Sequence, residues 1–167
     1  DALPILGDGL TSLTLAKNLI NKKINVYFYH KNKIKNFSSN RTIGISKNNL
    51  EFFRKEICKI PMKLFWEIKK IEIYSDKLDK EKLFRFEKGK DSLFYMVKND
   101  ELYKSLMNEI SKNKYFKKKL IKDNFFYDQL QKKYNLVINC DPNNSLSKKF
   151  FTKKINKNYD NLAYTTI

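Results

Sequence analysis

The residues whose types and spacing could do chemistry begin at the seventh position. Gly7-Asp8-Gly9-Leu10-Thr11-Ser12 lies between a short apolar run, Leu3-Pro4-Ile5-Leu6, and a stretch with helical periodicity. Two glycines one residue apart at a strand-to-helix turn suit a phosphate. The first permits the tight turn, and the second lets the backbone approach a pyrophosphate resting on the helix N-terminus. Ser12 stands at the third glycine position of this pattern and is small enough to keep close helix–strand packing. The pattern also asks for an acid at the end of the next strand, to hold ribose hydroxyls. That position falls on His30, the only histidine of the chain. An imidazole there can exchange one hydrogen bond with a ribose hydroxyl; the alternative is a partly exposed His at a strand end.

The elements that must position these residues follow from periodicity. Residues 3–6 read as a strand, with Pro4 tolerable only near its start because proline donates no ladder hydrogen bond. Residues 10–21 read as a helix with Leu10, Leu13, Ala16, Leu19 and Ile20 on one face. Residues 24–29 read as the second strand, completing a βαβ-sized unit. Further on, 42–45 and 66–74 read as extended, 48–57 as a helix, and 83–86 and 93–97 as strands. Residues 99–111 read as a helix that Asn99 can cap and that Asp100 and Glu101 suit at its positive end. Residues 136–140 read as a strand closed by the turn Asp141-Pro142-Asn143-Asn144. The expected class is α/β: a Rossmann-like βαβ fold with a mainly parallel sheet, plus an extended patch at about 66–97.

Composition narrows the function classes. The 167 residues suit one domain, and no apolar run approaches the length of a membrane span. No signal peptide is visible. Cys58 and Cys140 read as two buried, reduced thiols, and two scattered Cys with one His make neither a zinc site nor a catalytic triad. The net charge of +17 invites a nucleic-acid reading, but only three of the 35 basic residues are Arg, the side chain suited to bidentate phosphate and base contacts. The Lys excess, with abundant Asn, Ile, Phe and Tyr, fits AT-rich coding. The basic, aromatic-interleaved stretches at 112–134 and 148–157 therefore read as solvated faces rather than nucleic-acid surfaces. Peripheral contact with an anionic membrane is the weaker functional reading of the same charge.

Several stretches in order resemble the flavin-dependent hydroxylases of ubiquinone biosynthesis, within the para-hydroxybenzoate-hydroxylase-like family. The opening Ile5-Leu6-Gly7-Asp8-Gly9-Leu10 resembles that family's FAD-ADP site. Asn40-Arg41-Thr42-Ile43-Gly44-Ile45-Ser46 resembles its Asp-x-Arg segment. Phe94-Tyr95-Met96-Val97-Lys98-Asn99, with Leu102 and Leu106, resembles the segment entering the helix beside the cofactor. Tyr134-Asn135-Leu136-Val137-Ile138-Asn139-Cys140-Asp141 resembles its Tyr-Asp-Leu-Val-x-x-x-Asp-Gly motif, with Pro142 in place of the glycine. Tyr159-Asp160-Asn161-Leu162-Ala163-Tyr164 resembles its Tyr-x-x-x-Ala strand entry.

The resemblance implies an FAD-dependent monooxygenase that uses a nicotinamide reductant, NAD(P)H, and O2 to hydroxylate a polyprenylated phenol. The protein would be cytoplasmic, with peripheral contact at the inner membrane face as a further option. It implies that Gly7, Gly9 and Ser12 cradle the pyrophosphate, that Arg41 is a cation on the flavin side, and that Asp141 caps the pyrophosphate and ribityl region. Residues 1–167 would then form an incomplete FAD/NAD(P)-binding domain with part of a substrate-side β region, since the family's third cofactor motif would lie beyond Ile167. Two other classes compete: a related flavin-dependent reductase or halogenase, and a cofactor-free basic module binding nucleic acid or anionic membrane. Oligomeric state is not legible.

Overall fold

The computed structural model describes residues 2–31, 41–75, 81–121, 127–151 and 157. In chain order the elements are β1 (Leu3–Leu6), α1 (Leu10–Asn21), β2 (Val26–Lys31), β3 (Thr42–Ile45), α2 (Lys47–Phe52), β4 (Phe65–Ile68), β5 (Lys70–Tyr74), β6 (Lys82–Glu87), β7 (Phe94–Lys98), α3 (Asn99–Ile110), β8 (Phe116–Ile121), α4 (Tyr127–Lys133), β9 (Ile138–Asn139) and α5 (Ser145–Phe150). They fall into two units, residues 1–36 with 103–167, and residues 37–102.

The first unit holds a four-stranded parallel sheet in the order β8-β2-β1-β9. The chain steps outward from β1 to β2 to β8, then returns to the other side of β1 as β9. That reversal is the arrangement of dinucleotide-binding sheets, and it leaves a crevice at the carboxyl ends of β1 and β9. On one face Leu6 and Tyr29 pack with Leu130 of α4 and Leu146 of α5. The alternate residues Ile5 and Phe28 are equally buried, and the Phe28 ring lies 5.5 Å from that of Phe116. α1 packs on β1 and β2 through buried Leu13, Ala16 and Ile20, spaced for one helical face. Lys17 of α1 pairs with Glu109 of α3 at 3.5 Å.

α1 ends in a Schellman motif: the Lys23 amide donates to the Ile20 carbonyl and the Ile24 amide to that of Leu19. Lys23 therefore takes φ +61°, the left-handed conformation usually given to glycine.

Pro4 does sit in a central strand, and the register explains why. Leu3 bonds toward β2 and Leu6 toward β9, so Pro4 faces the β9 side, where β9 pairs only Ile5 and Leu6. No ladder bond is lost. The same geometry shortens the expected 136–140 strand to two residues: Pro4 offers no donor to extend the ladder, and Leu136 is exposed.

One expectation needs correction. Residues 112–134 are not simply a solvated face, because β8 lies within them and pairs with β2 over six residues. Its three central lysines stay exposed while Phe116 is buried. The 66–74 stretch is extended, as expected. It breaks at Lys69 into β4 and β5, which join different sheets.

The second unit is built on an antiparallel sheet, β3-β7-β4, with Val97 of β7 paired to both Ile43 and Phe65. Ser46 caps α2 by accepting from the Asn49 amide. The expected 48–57 helix continues past Phe52 as a single π-turn, with the Cys58 amide donating to the Phe53 carbonyl. β5 and β6 form a separate antiparallel ribbon. Its register puts Ile71, Ile73, Phe84 and Phe86 on one face, with Lys70, Glu72, Arg85 and Glu87 on the other. Glu72 is tied to Lys82 and Lys70, and the Lys82 ammonium holds its carboxyl down at about 2.

Candidate functional site

The site begins where β1 stops. Gly7 takes φ +109°, a conformation that L side chains rarely adopt. A Cβ there would sit 3.1 Å from the Asp141 nitrogen, the Cys140 carbonyl carbon and the Ser12 Oγ. Only a glycine lets β1, the start of α1 and the end of β9 converge this closely. Gly9 behaves differently. Its φ of −88° is ordinary, and a Cβ added to it would meet nothing within 4 Å. The fold itself does not demand glycine at Gly9, and the backbone there faces open space.

Gly9 is the N-cap of α1, with no side-chain cap and no acid in the first turn. The amides of the first turn therefore point their positive end into that space, where an anion would satisfy them. An open approach in front of Gly9 and an uncapped helix start are what a dinucleotide pyrophosphate needs, so the residues present fit that group.

Ser12 does not face this opening. It is fully buried beneath the turn, where the close-packing glycine of the pattern would lie. Its Oγ has no conventional hydrogen-bond partner among the described residues and abuts Gly7 and the Cys140 thiol. Burial pushes the Cys140 thiol up, and the Ser12 hydroxyl draws it partly back. Cys58 is buried as expected, but Cys140 is only half-buried; neither forms a disulfide.

Asp141 follows β9 and is held as a turn residue. Its Oδ1 accepts from the Asn143 amide at 2.9 Å, its amide donates to Asn139 Oδ1, and its carbonyl accepts from Ser147 Oγ at 2.6 Å. Pro142 occupies the first corner of this turn, where its fixed φ is favoured and no donor is needed. A polar knot sets the turn: Asn139 and Asn144 exchange side-chain hydrogen bonds at 2.7 and 3.1 Å, and Asn139 also donates to Ser147. Asn144 caps α5 through the Ser147 amide. Sequence reading passed over Asn139, Asn144 and Ser147. The density of Asn and Ser around Asp141-Pro142 was the available signal. A cleft of about 290 Å³ opens beside the knot, bounded by Cys140, Asp141, Pro142 and Phe151.

At the end of β2, His30 is partly exposed and pairs in register with Leu120. The next residue, Lys31, was not singled out from sequence. Its ammonium reaches Asp141 Oδ2 at 3.6 Å. The structure thus gathers Gly7, Gly9, Ser12, His30 and Asp141 at one end of the parallel sheet. Arg41 belongs to the second unit, where it is exposed and its carbonyl accepts from the Asn99 amide. Asn40 and the 159–164 segment lie outside the described residues. Among the described residues, no cluster of His, Cys, Asp or Glu could hold a metal, and no helix is long and apolar enough to cross a membrane.

No protein-family model and no curated protein sequence matches the chain. Solved structures do. p-Nitrophenol 4-monooxygenase PnpA from Pseudomonas putida DLL-E4 superposes with a TM-score of 0.58 at 9% identity, over 72% of this chain and 31% of that one. PqsL, a probable FAD-dependent monooxygenase from Pseudomonas aeruginosa, gives 0.57 at 13% identity, over 71% and 32%. 2,6-Dihydroxypyridine-3-hydroxylase from Arthrobacter nicotinovorans gives 0.54 at 14% identity, over 71% and 28%. The chain spans about a third of the length of these neighbours. At these identities the likeness is one of fold: the chain has the mixed α/β fold, with its parallel sheet, of a part of these monooxygenases.

Proposed function

We propose that this chain is the dinucleotide-binding part of an FAD-dependent monooxygenase. One observation carries the reading: the Gly7–Gly9 turn sits at the switch point of a β8-β2-β1-β9 parallel sheet and opens onto free space at Gly9. The fold likeness to flavin monooxygenases supports it. On this reading the first-turn amides of α1 bind the pyrophosphate, and Gly9 lets it approach. His30 meets the adenosine ribose, and Asp141 orients the chain of the cofactor beyond the pyrophosphate. Ser12 supports the turn from beneath, and the role of Arg41 as a flavin-side cation rests on the family resemblance alone. Bound FAD would supply the redox chemistry and the activation of O2; the residues of this chain bind and orient it.

The finer reading is hydroxylation of a polyprenylated phenol in ubiquinone biosynthesis, with NAD(P)H as reductant and peripheral contact with an anionic membrane. It rests on the order of the family-like segments and on the Lys-rich surface. The test is direct: titrate FAD into the 167-residue chain and follow flavin fluorescence, with ADP as competitor. Saturable quenching reversed by ADP supports the reading. A chain that takes up neither nucleotide overturns it and returns the cofactor-free basic module to first place.

A further inference from the structure

The Lys31–Asp141 ion pair lies where a ligand would have to pass. Lys31 is the last residue of β2, Asp141 lies two residues beyond β9, and β1 runs between these strands. Adjacent strands are about 4.8 Å apart, so the pair spans roughly 10 Å across the carboxyl end of β1. It therefore bridges the outlet of the Gly7–Gly9 turn. Only a long side chain can do this.

Asp141 poses an electrostatic problem at such a place. Its side chain is 20% exposed, Oδ1 is taken by the Asn143 amide, and Oδ2 is turned toward Lys31. A covered carboxylate beside a pyrophosphate repels it unless a cation stands between them. Lys31 is that cation. Its side chain is half-exposed, and an ammonium has three donors, so one N–H can stay with Asp141 while another turns to a phosphate oxygen. The end of β2 carries no acid that would compete, since it reads His30-Lys31.

We infer that Lys31 is a phosphate-contacting residue of the dinucleotide site, held by Asp141 across its mouth and shared with the ligand's pyrophosphate on binding. This rests on the nucleotide-binding reading above. It adds a residue that neither the glycine pattern nor the family-like segments single out.

The test uses the 167-residue chain and calorimetric titration with FAD and with ADP. Four proteins are compared: the unaltered chain, Lys31→Met, Lys31→Arg, and the double variant Lys31→Met/Asp141→Asn. Circular dichroism and thermal unfolding check that each is folded. Lys31→Met is expected to weaken both nucleotides about ten-fold and to flatten the salt dependence of binding. Lys31→Arg retains affinity within a few-fold. The double variant regains part of the loss with ADP, which lacks the ribityl chain that Asp141 orients, because removing the carboxylate removes the repulsion that Lys31 offset; a residue serving only the fold would show no such recovery. Unchanged affinity in Lys31→Met overturns the inference while leaving the nucleotide site intact, and so does a double variant that binds ADP as weakly as Lys31→Met. An unaltered chain that binds neither FAD nor ADP overturns the nucleotide reading itself, and the inference falls with it.

Discussion

A Cβ on Gly7 would stand 3.1 Å from the backbone nitrogen of Asp141, so the turn after β1 and the turn after β9 are fitted against each other with no room for a side chain. Two costs coincide at this position. The φ of +109° is strained for any L-residue, and the contact is to backbone, which cannot swing aside. Gly7→Ala should therefore lower the unfolding free energy by about 2–4 kcal/mol, or prevent folding. Urea denaturation read by far-UV circular dichroism measures it. A loss below about 0.5 kcal/mol would mean that the two turns do not converge as described.

Gly9→Ala separates folding from ligand approach. Its φ is allowed for alanine and its Cβ meets open space, so the change should cost no more than alanine at an N-cap does, about 1 kcal/mol. On the nucleotide-binding reading the added methyl group stands in the path of the pyrophosphate, and FAD affinity should fall about ten-fold or more. Paired denaturation and FAD titration give both numbers. A variant that is stable and binds FAD as tightly as its parent would sink the assignment of this turn.

Lys23 offers a change in the opposite direction. It holds the left-handed position of the Schellman motif ending α1, at φ +61°. A side chain there costs about 1 kcal/mol relative to glycine, and part of that gain is returned because glycine loosens the unfolded chain. Lys23 is exposed. Lys23→Gly should still stabilise the protein by about 0.5–1 kcal/mol, seen as a higher urea midpoint with an unchanged slope. A lower midpoint would show that Lys23 contributes something beyond its backbone conformation.

Local signals made the first βαβ unit legible: the Leu13, Ala16, Ile20 stripe of α1, the Gly7–Gly9 turn, and the apolar content of β1 and β2. What stayed hidden depends on partners far away in sequence. β8 presents Lys117, Lys118 and Lys119 in succession and is recognisable as a strand only through its pairing with β2. The break at Lys69 is invisible to periodicity because both halves are extended; it exists because β4 pairs with β7 and β5 with β6. The glycines of the candidate site were legible, since their spacing is local. Lys31 was not, because its role depends on a contact with Asp141, 110 positions later and across the intervening β1. The Asn139–Asn144–Ser147 knot was missed for a different reason: short polar side chains read as a generic turn until their mutual hydrogen bonds are seen.

The buried face under α4 and α5 carries a titratable group whose behaviour can be checked. Burial, and secondarily a hydrogen bond with Tyr134, pushes the Tyr29 phenol from 10.0 up to about 12. The folded chain therefore keeps this proton when the unfolded chain has already lost it. The stabilisation is fully present below pH 10 and is lost as pH rises from about 10 toward about 12. Other tyrosines and the lysines titrate in the same range, so the comparison must be with Tyr29→Phe, in which they remain. At neutral pH that variant should be less stable by about 1 kcal/mol, the worth of a buried hydroxyl's hydrogen bond. As pH rises through this window the parent should lose stability faster, and the difference between the two should shrink or change sign. Urea midpoints at half-unit intervals from pH 8.5 to about 12 would show it, within the range where both proteins refold reversibly. Parallel profiles would mean that Tyr29 titrates like an exposed phenol and that the packing of Leu6, Tyr29, Leu130 and Leu146 is looser than described.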